Sequence, residues 1–308
     1  MTATAEQVEA AWHDPKLANI LYHDAEADSY DDKWSISFDE RCIDYARDRF
    51  SHVAGTAGWP YASSLELGCG TGFFTLNLML AGVIETAHVS DLSPGMVNAA
   101  RRNAQGLGFT IDGRVADAET LPYPDDSFDL VIGHAVLHHI PDVELALREV
   151  LRVLKPGGRF VFAGEPTRWC DRVARRLSRA TWWATTRATR LAPLRSWQRP
   201  PSELAASSRA AALESVVDLH TFVPADLHRT ALRAGAIDVT VKTVELTAAW
   251  FGWPVRTFEC AVPKAKLGYK WGRFAMRAWQ RLCAVDGVLA HVVPMGLFYN
   301  VEITGIKP

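Results

Sequence analysis

An α/β fold is predicted for this 308-residue chain by three observations: a short apolar strand breaking into alternating glycines, a second strand ending in an acid, and continued alternation of strands with amphipathic helices through residue 165. In "YASSLELGCGTGFF", Leu65 to Leu67 reads as a buried strand, Gly68, Gly70 and Gly72 as a sharp turn, and a helix begins near Phe73. The glycines let the backbone turn tightly and leave room for a ligand against the main chain. Their spacing is G-x-G-x-G, which lacks the third glycine of a dinucleotide-binding G-x-G-x-x-G. The next strand, "TAHVSDLS", ends at Asp91, 19 residues after Gly72, where a carboxylate would meet both hydroxyls of a ribose. Asp91 also suits the N-cap of a helix over "SPGMVNAARRN". "GRVADAETLPYPDDSFDLVIGHAVLHHIPDVELALREVLRVLKPGGRFVFAGEP" then supplies a strand, an acidic turn, the strand "FDLVIGH", an amphipathic helix starting at "LHHI", an "LKPGG" turn and the strand "RFVFAGE".

Bulk properties narrow the setting. A 48% hydrophobic content suits a sizeable core. The five cysteines are odd in number, dispersed and without a C-x-x-C pair, which argues against a disulfide framework and a zinc site and fits a reducing cytoplasm. The N-terminus has no basic start followed by an apolar run, and no stretch of about 18 apolar residues occurs, so neither secretion nor membrane spanning is expected. The net charge of -2 conceals a strong asymmetry: residues 168–199 carry nine arginines and one acid, and residues 264–281 carry six basic residues and no acid. The remainder is an acidic body at -16, and such asymmetry concerns partners more than folding.

Taken in order, "LELGCGTG", "LPYPDDSFDLV", "VLHHI" and "RVLKPGG" resemble the class I S-adenosylmethionine-dependent methyltransferases, in the broad branch of quinone and small-molecule enzymes. The resemblance runs from about Tyr30 to Glu165 and resumes at "FVPADLHRTALRAGAIDVTVKTVE". It implies a Rossmann-like seven-stranded sheet of order 3-2-1-4-5-7-6 and S-adenosyl-L-methionine as cofactor, leaving as S-adenosyl-L-homocysteine. Carried over by position, Glu66, Gly68, Cys69 and Gly70 would line its methionine part, Asp91 would hold the ribose, and Leu92 and Met96 would pack near the adenine. Asp117 and the backbone at Ala118 would meet the adenine amino group, His134 would stand beside the sulfonium, and Tyr30 would close over the cofactor from an N-terminal helix. Methyl transfer needs in-line approach and a water-poor site. Where the acceptor must lose a proton, His138, His139 and Glu165 are the candidate catalytic residues. His134 and His138 have the spacing of a zinc helix, but Ala135 stands where H-E-x-x-H carries glutamate, so no metal site is assigned to that pair.

Divided accordingly, residues 1–50 are an N-terminal helical segment closing over the cofactor and 51–165 the cofactor-binding core. Residues 166–220 form a basic insertion rich in tryptophan and arginine, 221–246 a core helix and strand six, 247–294 a second insertion, and 295–308 strand seven. Both insertions leave carboxyl ends of strands, the ligand edge of open α/β sheets, so a mostly helical cap is expected on the substrate side. They hold eight of the eleven tryptophans. In the first insertion, Trp169, Val173, Leu177, Ala180, Ala184 and Leu191 share one helical face, expected to be the packed one in an ordinary lid, with arginines on another. Pro200, Pro201 and the following residues 202–215 read as a flexible return to the core. A small-molecule or lipid-like acceptor, with peripheral contact to anionic membrane through 168–199 and 264–281, is the favoured reading. A lid facing only solvent, a protein or nucleic-acid partner docked on the basic cap, and a binding module without turnover are its rivals.

Overall fold

The computed structural model describes residues 11–204 and 216–308. The expected return segment at 200–215 therefore lies mostly outside the described residues, as does the start of the N-terminal segment. Three helices come first: α1 (Pro15–Glu26), α2 (Tyr30–Trp34) and α3 (Glu40–Ala54). Strands and helices then alternate as β1 (Ser64–Leu67), α4 (Phe73–Leu80), β2 (Ala87–Asp91), α5 (Pro94–Gly106), β3 (Asp112–Val115), β4 (Phe128–His134), α6 (Val143–Val153) and β5 (Leu154–Pro166). After α7 (Arg168–Ala188) come α8 (Pro224–Ala234), β6 (Ile237–Val244), α9 (Thr247–Ala261), α10 (Tyr269–Leu289) and β7 (Asn300–Ile306). The chain forms two compact units: Met1–Glu165 with Ser215–Lys242 and Glu302–Pro308, and Pro166–Glu214 with Thr243–Val301.

The first unit is framed by one seven-stranded sheet of order β3-β2-β1-β4-β5-β7-β6, the order implied by the sequence motifs. The β1–β2, β1–β4, β2–β3 and β4–β5 pairs are parallel, with Glu66 aligned to both Val89 and Ile132. β1 is central and buried along its whole length, as expected for a strand covered on both faces. One side of the sheet is filled by Leu130, Ile132, Val161 and Ala163 against Phe50, Phe74, Leu76 and Leu78. The "LKPGG" segment reads as a turn but belongs to β5. The Gly157 N–H donates to Lys307 O (3.0 Å), the Lys307 N–H donates to Gly158 O (2.9 Å), and this antiparallel exchange extends the strand backwards. The "LHHI" segment is likewise not the start of a helix: Leu137–His139 forms a separate 3-10 turn, and α6 starts later, capped by Asp142, which accepts from Leu145 N at 2.9 Å.

The second unit is helical. α9 packs against both α7 and α10, around Cys170, Leu246, Ala249 and Phe298 with Trp253 and Leu289. The N-terminus of α9 is capped by buried Asp286 of α10, whose carboxylate accepts from the N–H groups of Leu246, Thr247 and Ala248 at 2.9–3.0 Å. α7 is amphipathic, as expected, and the apolar face that an ordinary lid would pack is not the buried one. Cys170, Asp171 and Ala174 are buried, whereas Trp169 (55% exposed), Leu177 (37%), Trp183 (59%), Ala180 and Ala184 face solvent. The small residues Cys170 and Ala174 permit close approach to α9, which leaves the bulkier apolar side chains outside.

Candidate active site

The glycine turn between β1 and α4 is held by three carboxyl groups. Glu66, fully buried at the strand end, accepts from Thr75 N at 3.1 Å and so anchors the first turn of α4. Burial pushes its carboxyl up to about 8, so it is protonated at neutral pH. Asp91 Oδ2 accepts from Gly70 N at 2.9 Å and its Oδ1 from Ser93 N at 2.9 Å. The cap of α5 is Ser93, which accepts from Met96 N, so Asp91 is not the N-cap. Burial raises the Asp91 carboxyl, opposed by His23 and by these two N–H donors. Asp31 completes the set, accepting from Thr71 Oγ1 at 2.5 Å and from Asn103 Nδ2 at 3.0 Å.

Gly68, Gly70 and Gly72 all have positive φ, but their surroundings differ. A Cβ at Gly68 would stand 2.2 Å from Val136 Cγ2, so that glycine serves packing. At Gly70 a Cβ would meet nothing nearer than Tyr30 Cε1 at 4.0 Å. Room is therefore left at Gly70 itself, whose N–H donates to Asp91 and whose nearest neighbour in the direction of a side chain is Tyr30. Cys69 and Met96 are buried and Leu92 is half-buried around it. Asp117 follows β3 and bonds to Lys16 Nζ of α1 at 2.5 Å, while its Oδ1 accepts from Glu119 N. Lys16 also pairs with Glu119. The carboxylate assigned to the adenine amino group thus already has a cation, and Ala118 beside it is half-buried.

His134 ends β4, within 5.3 Å of the ring centroids of Phe73 and Phe74 and with its Nε2 3.2 Å from Tyr45 Oη. Burial lowers it to about 4, so it is a neutral, fixed polar group at physiological pH. Glu165, fully buried, accepts from Val136 N and Leu137 N through Oε1, and from His138 N and His138 Nδ1 through Oε2, at 2.7–3.1 Å. Four donors hold it ionised, with the His138 imidazole the main lowering influence against burial. It orients His138 and is not free to take a proton itself. His139 donates through Nδ1 to Val217 O at 2.9 Å and is held well below its usual range by burial and by His138 and His23. Lys16, His23, Asp31 and Tyr45 escape the sequence reading; only for Asp31 was there a signal, the acid-rich "DAEADSYDD" at residues 24–32 that contains it.

This sheet order, glycine turn and carboxylate at the end of β2 are those of the class I S-adenosylmethionine-dependent methyltransferase fold. Residues 65–162, about a third of the chain, match the family model described as a methyltransferase domain. Over 99 residues it is 41% identical to malonyl-[acyl-carrier protein] O-methyltransferase of Halorhodospira halophila, covering 32% of this chain and 33% of that protein. Over 116 residues it is 36% identical to a ubiquinone/menaquinone biosynthesis C-methyltransferase of Bartonella tribocorum, covering 35% of this chain and 44% of the relative. These alignments span a third to under a half of the relatives' lengths. Among solved structures, the [4+2]-cyclase SpnF superposes with a TM-score of 0.51 at 20% identity, covering 87% of this chain and 81% of that one, a likeness of fold alone.

Proposed function

We propose that the chain transfers a methyl group from S-adenosylmethionine to an apolar or amphiphilic acceptor presented at an anionic lipid surface. The reading is carried by the space at Gly70 bounded by Asp91 and Tyr30. Asp91 would take the ribose, Glu66, Gly68 and Cys69 the amino-acid tail, Leu92, Met96, Asp117 and Ala118 the adenine side, and His134 the end of β4. The cofactor supplies an electrophilic methyl on sulfur, and the protein supplies orientation and exclusion of water. His138, oriented by Glu165 at 2.7 Å from its Nδ1, would be the proton acceptor where an acceptor group must be deprotonated. His139, with Nδ1 engaged by Val217 O, is the flanking imidazole.

Support for the lipid surface comes from the second unit taken by itself. Of the nineteen large apolar side chains exposed among the described residues, thirteen lie in it. On α7 the exposed Trp169 and Trp183 carry Arg172 and Arg187 over their rings at 5.0 and 4.2 Å. On α10, Lys270, Arg273, Arg277 and Arg281 line one face with Phe274. Among the described residues, no carboxylate is paired with Arg172, Arg176, Arg179, Arg273 or Arg277. Exposed aromatics with cations around them suit the water–lipid boundary. None of the described helices is long and apolar enough to cross a membrane. The relatives named for malonyl-acyl-carrier-protein and quinone methylation are consistent with an amphiphilic acceptor.

Calorimetry with S-adenosylhomocysteine tests the cofactor reading. Binding is expected for the intact chain and about tenfold or more weaker for Asp91→Ala, since a charge-assisted hydrogen bond is worth about 1.5–3 kcal/mol; an intact chain that does not bind refutes it. Sedimentation with phosphatidylserine vesicles tests the surface. Neutralising Arg172, Arg176 and Arg179 together is expected to weaken binding by about a hundredfold, at about 1 kcal/mol for each cation. Transfer of radiolabelled methyl into lipid, small-metabolite or protein fractions of an extract distinguishes the acceptor classes, and absence of transfer favours a binding module.

A further inference from the structure

The helix α10 carries cations that its own surroundings leave without a counter-charge. Lys270, Phe274, Arg277, Ala278 and Arg281 fall within an arc of about 100° around the helix, with Arg273 at its edge. These six line an open depression of about 270 Å³, and its four cations are exposed. No acid occurs in residues 264–281. The acids of α9 and α10 are engaged elsewhere: Glu259 accepts from Trp271 Nε1 at 2.7 Å, and Asp286 caps α9. Among the described residues, no carboxylate pairs with any of the four cations. Arg273, Arg277 and Arg281 are spaced four apart, where like charges repel along a helix. An anion bound among them offsets that repulsion.

The same side of α10 continues as apolar surface. Val285 and Val288, about three and four turns beyond Phe274, return to its side of the helix, and both are exposed. Cations at one end of the stripe and apolar side chains at the other match one amphiphile. We infer that this stripe binds the phosphomonoester headgroup of an anionic lipid, with the phosphate between Arg273 and Arg277 and the apolar part towards Val285 and Val288. The inference rests on the lipid-surface reading above and adds the chemistry of the headgroup. One guanidinium fork already satisfies both oxygens of a carboxylate. Two forks one turn apart, about 6 Å along the axis, suit a phosphomonoester, with its three acceptor oxygens and charge of about −1.5 to −2. A nucleic-acid backbone would use the cations but not the apolar end.

The test compares the full chain on phosphatidylcholine vesicles carrying phosphatidic acid and on vesicles carrying phosphatidylserine at equal zeta potential. Binding about tenfold tighter to phosphatidic acid is expected, the worth of one additional charge-assisted hydrogen bond. Arg273→Gln with Arg277→Gln should abolish that ratio. Lys264→Gln with Lys266→Gln removes equal charge away from the stripe, so it should weaken both bindings alike and keep the ratio. Circular dichroism checks that each double variant remains folded. Equal binding to the two vesicles, or a ratio that survives Arg273→Gln with Arg277→Gln, overturns the headgroup site and leaves the lipid-surface reading standing. Binding to neither vesicle overturns both. Displacement by glycerol 3-phosphate at concentrations matching the accessible lipid, or by oligothymidylate, overturns the lipid assignment in favour of a free phosphate ester or a nucleic acid.

Discussion

Glu66 shows how a single buried group ties cofactor geometry to pH. Its folded value of about 8 lies above the ordinary carboxylate range because burial penalises the charge. Since the folded state binds the extra proton, its contribution is full below about pH 4.5 and is lost as the pH rises through 8. Glu66→Gln keeps an acceptor for Thr75 N, so its thermal stability is expected to be flat across that window, whereas the parent loses up to about 1.4 kcal/mol per pH unit. Two glycines separate packing from binding in the same way. A Cβ at Gly133 would lie 2.6 Å from Val136 and 2.7 Å from the buried ring of Phe162, so Gly133→Ala should lower stability by about 1–3 kcal/mol. Gly70→Ala meets open space and bears only the cost of its φ of +51°, about 1–2 kcal/mol. Its main expected effect, read by calorimetry, is loss of S-adenosylhomocysteine binding.

At the scale of elements, α7 carries a prediction that a buried lid would not. Because Leu177 and Trp183 are exposed, replacing both with serine is expected to change chemical-denaturation stability by no more than about 0.5 kcal/mol, while vesicle binding falls. The extent of α7 was legible because its arginines and apolar residues recur with the helical period. Which face packs was not, since periodicity reports amphipathicity and is silent on whether partner or solvent covers the larger side chains. The sheet order came from the family resemblance that the motifs carry, and β5 was clipped because Gly157 and Gly158 look like a turn until Lys307, distant in sequence, pairs with them. Asp91 and the glycine turn could be placed from spacing alone. The role of Glu165 could not: its four donors come from a 3-10 turn whose path no local pattern specifies. The Lys16 pairs with Asp117 and Glu119 join positions about a hundred residues apart, beyond the reach of local reading.

For the whole molecule, each compact unit is assembled from separated stretches of chain, three for the sheet unit and two for the helical one. The sheet order places β7 between β5 and β6, although β7 is made after both. During synthesis β5 and β6 therefore cannot rest in their final neighbourhood until residues 300–306 have emerged. The two basic, tryptophan-rich segments are translated before that, so they are exposed to the cell while the sheet still has an open edge. The last strand of the seven acts as a keystone, since the order of the sheet closes only when β7 enters between β5 and β6.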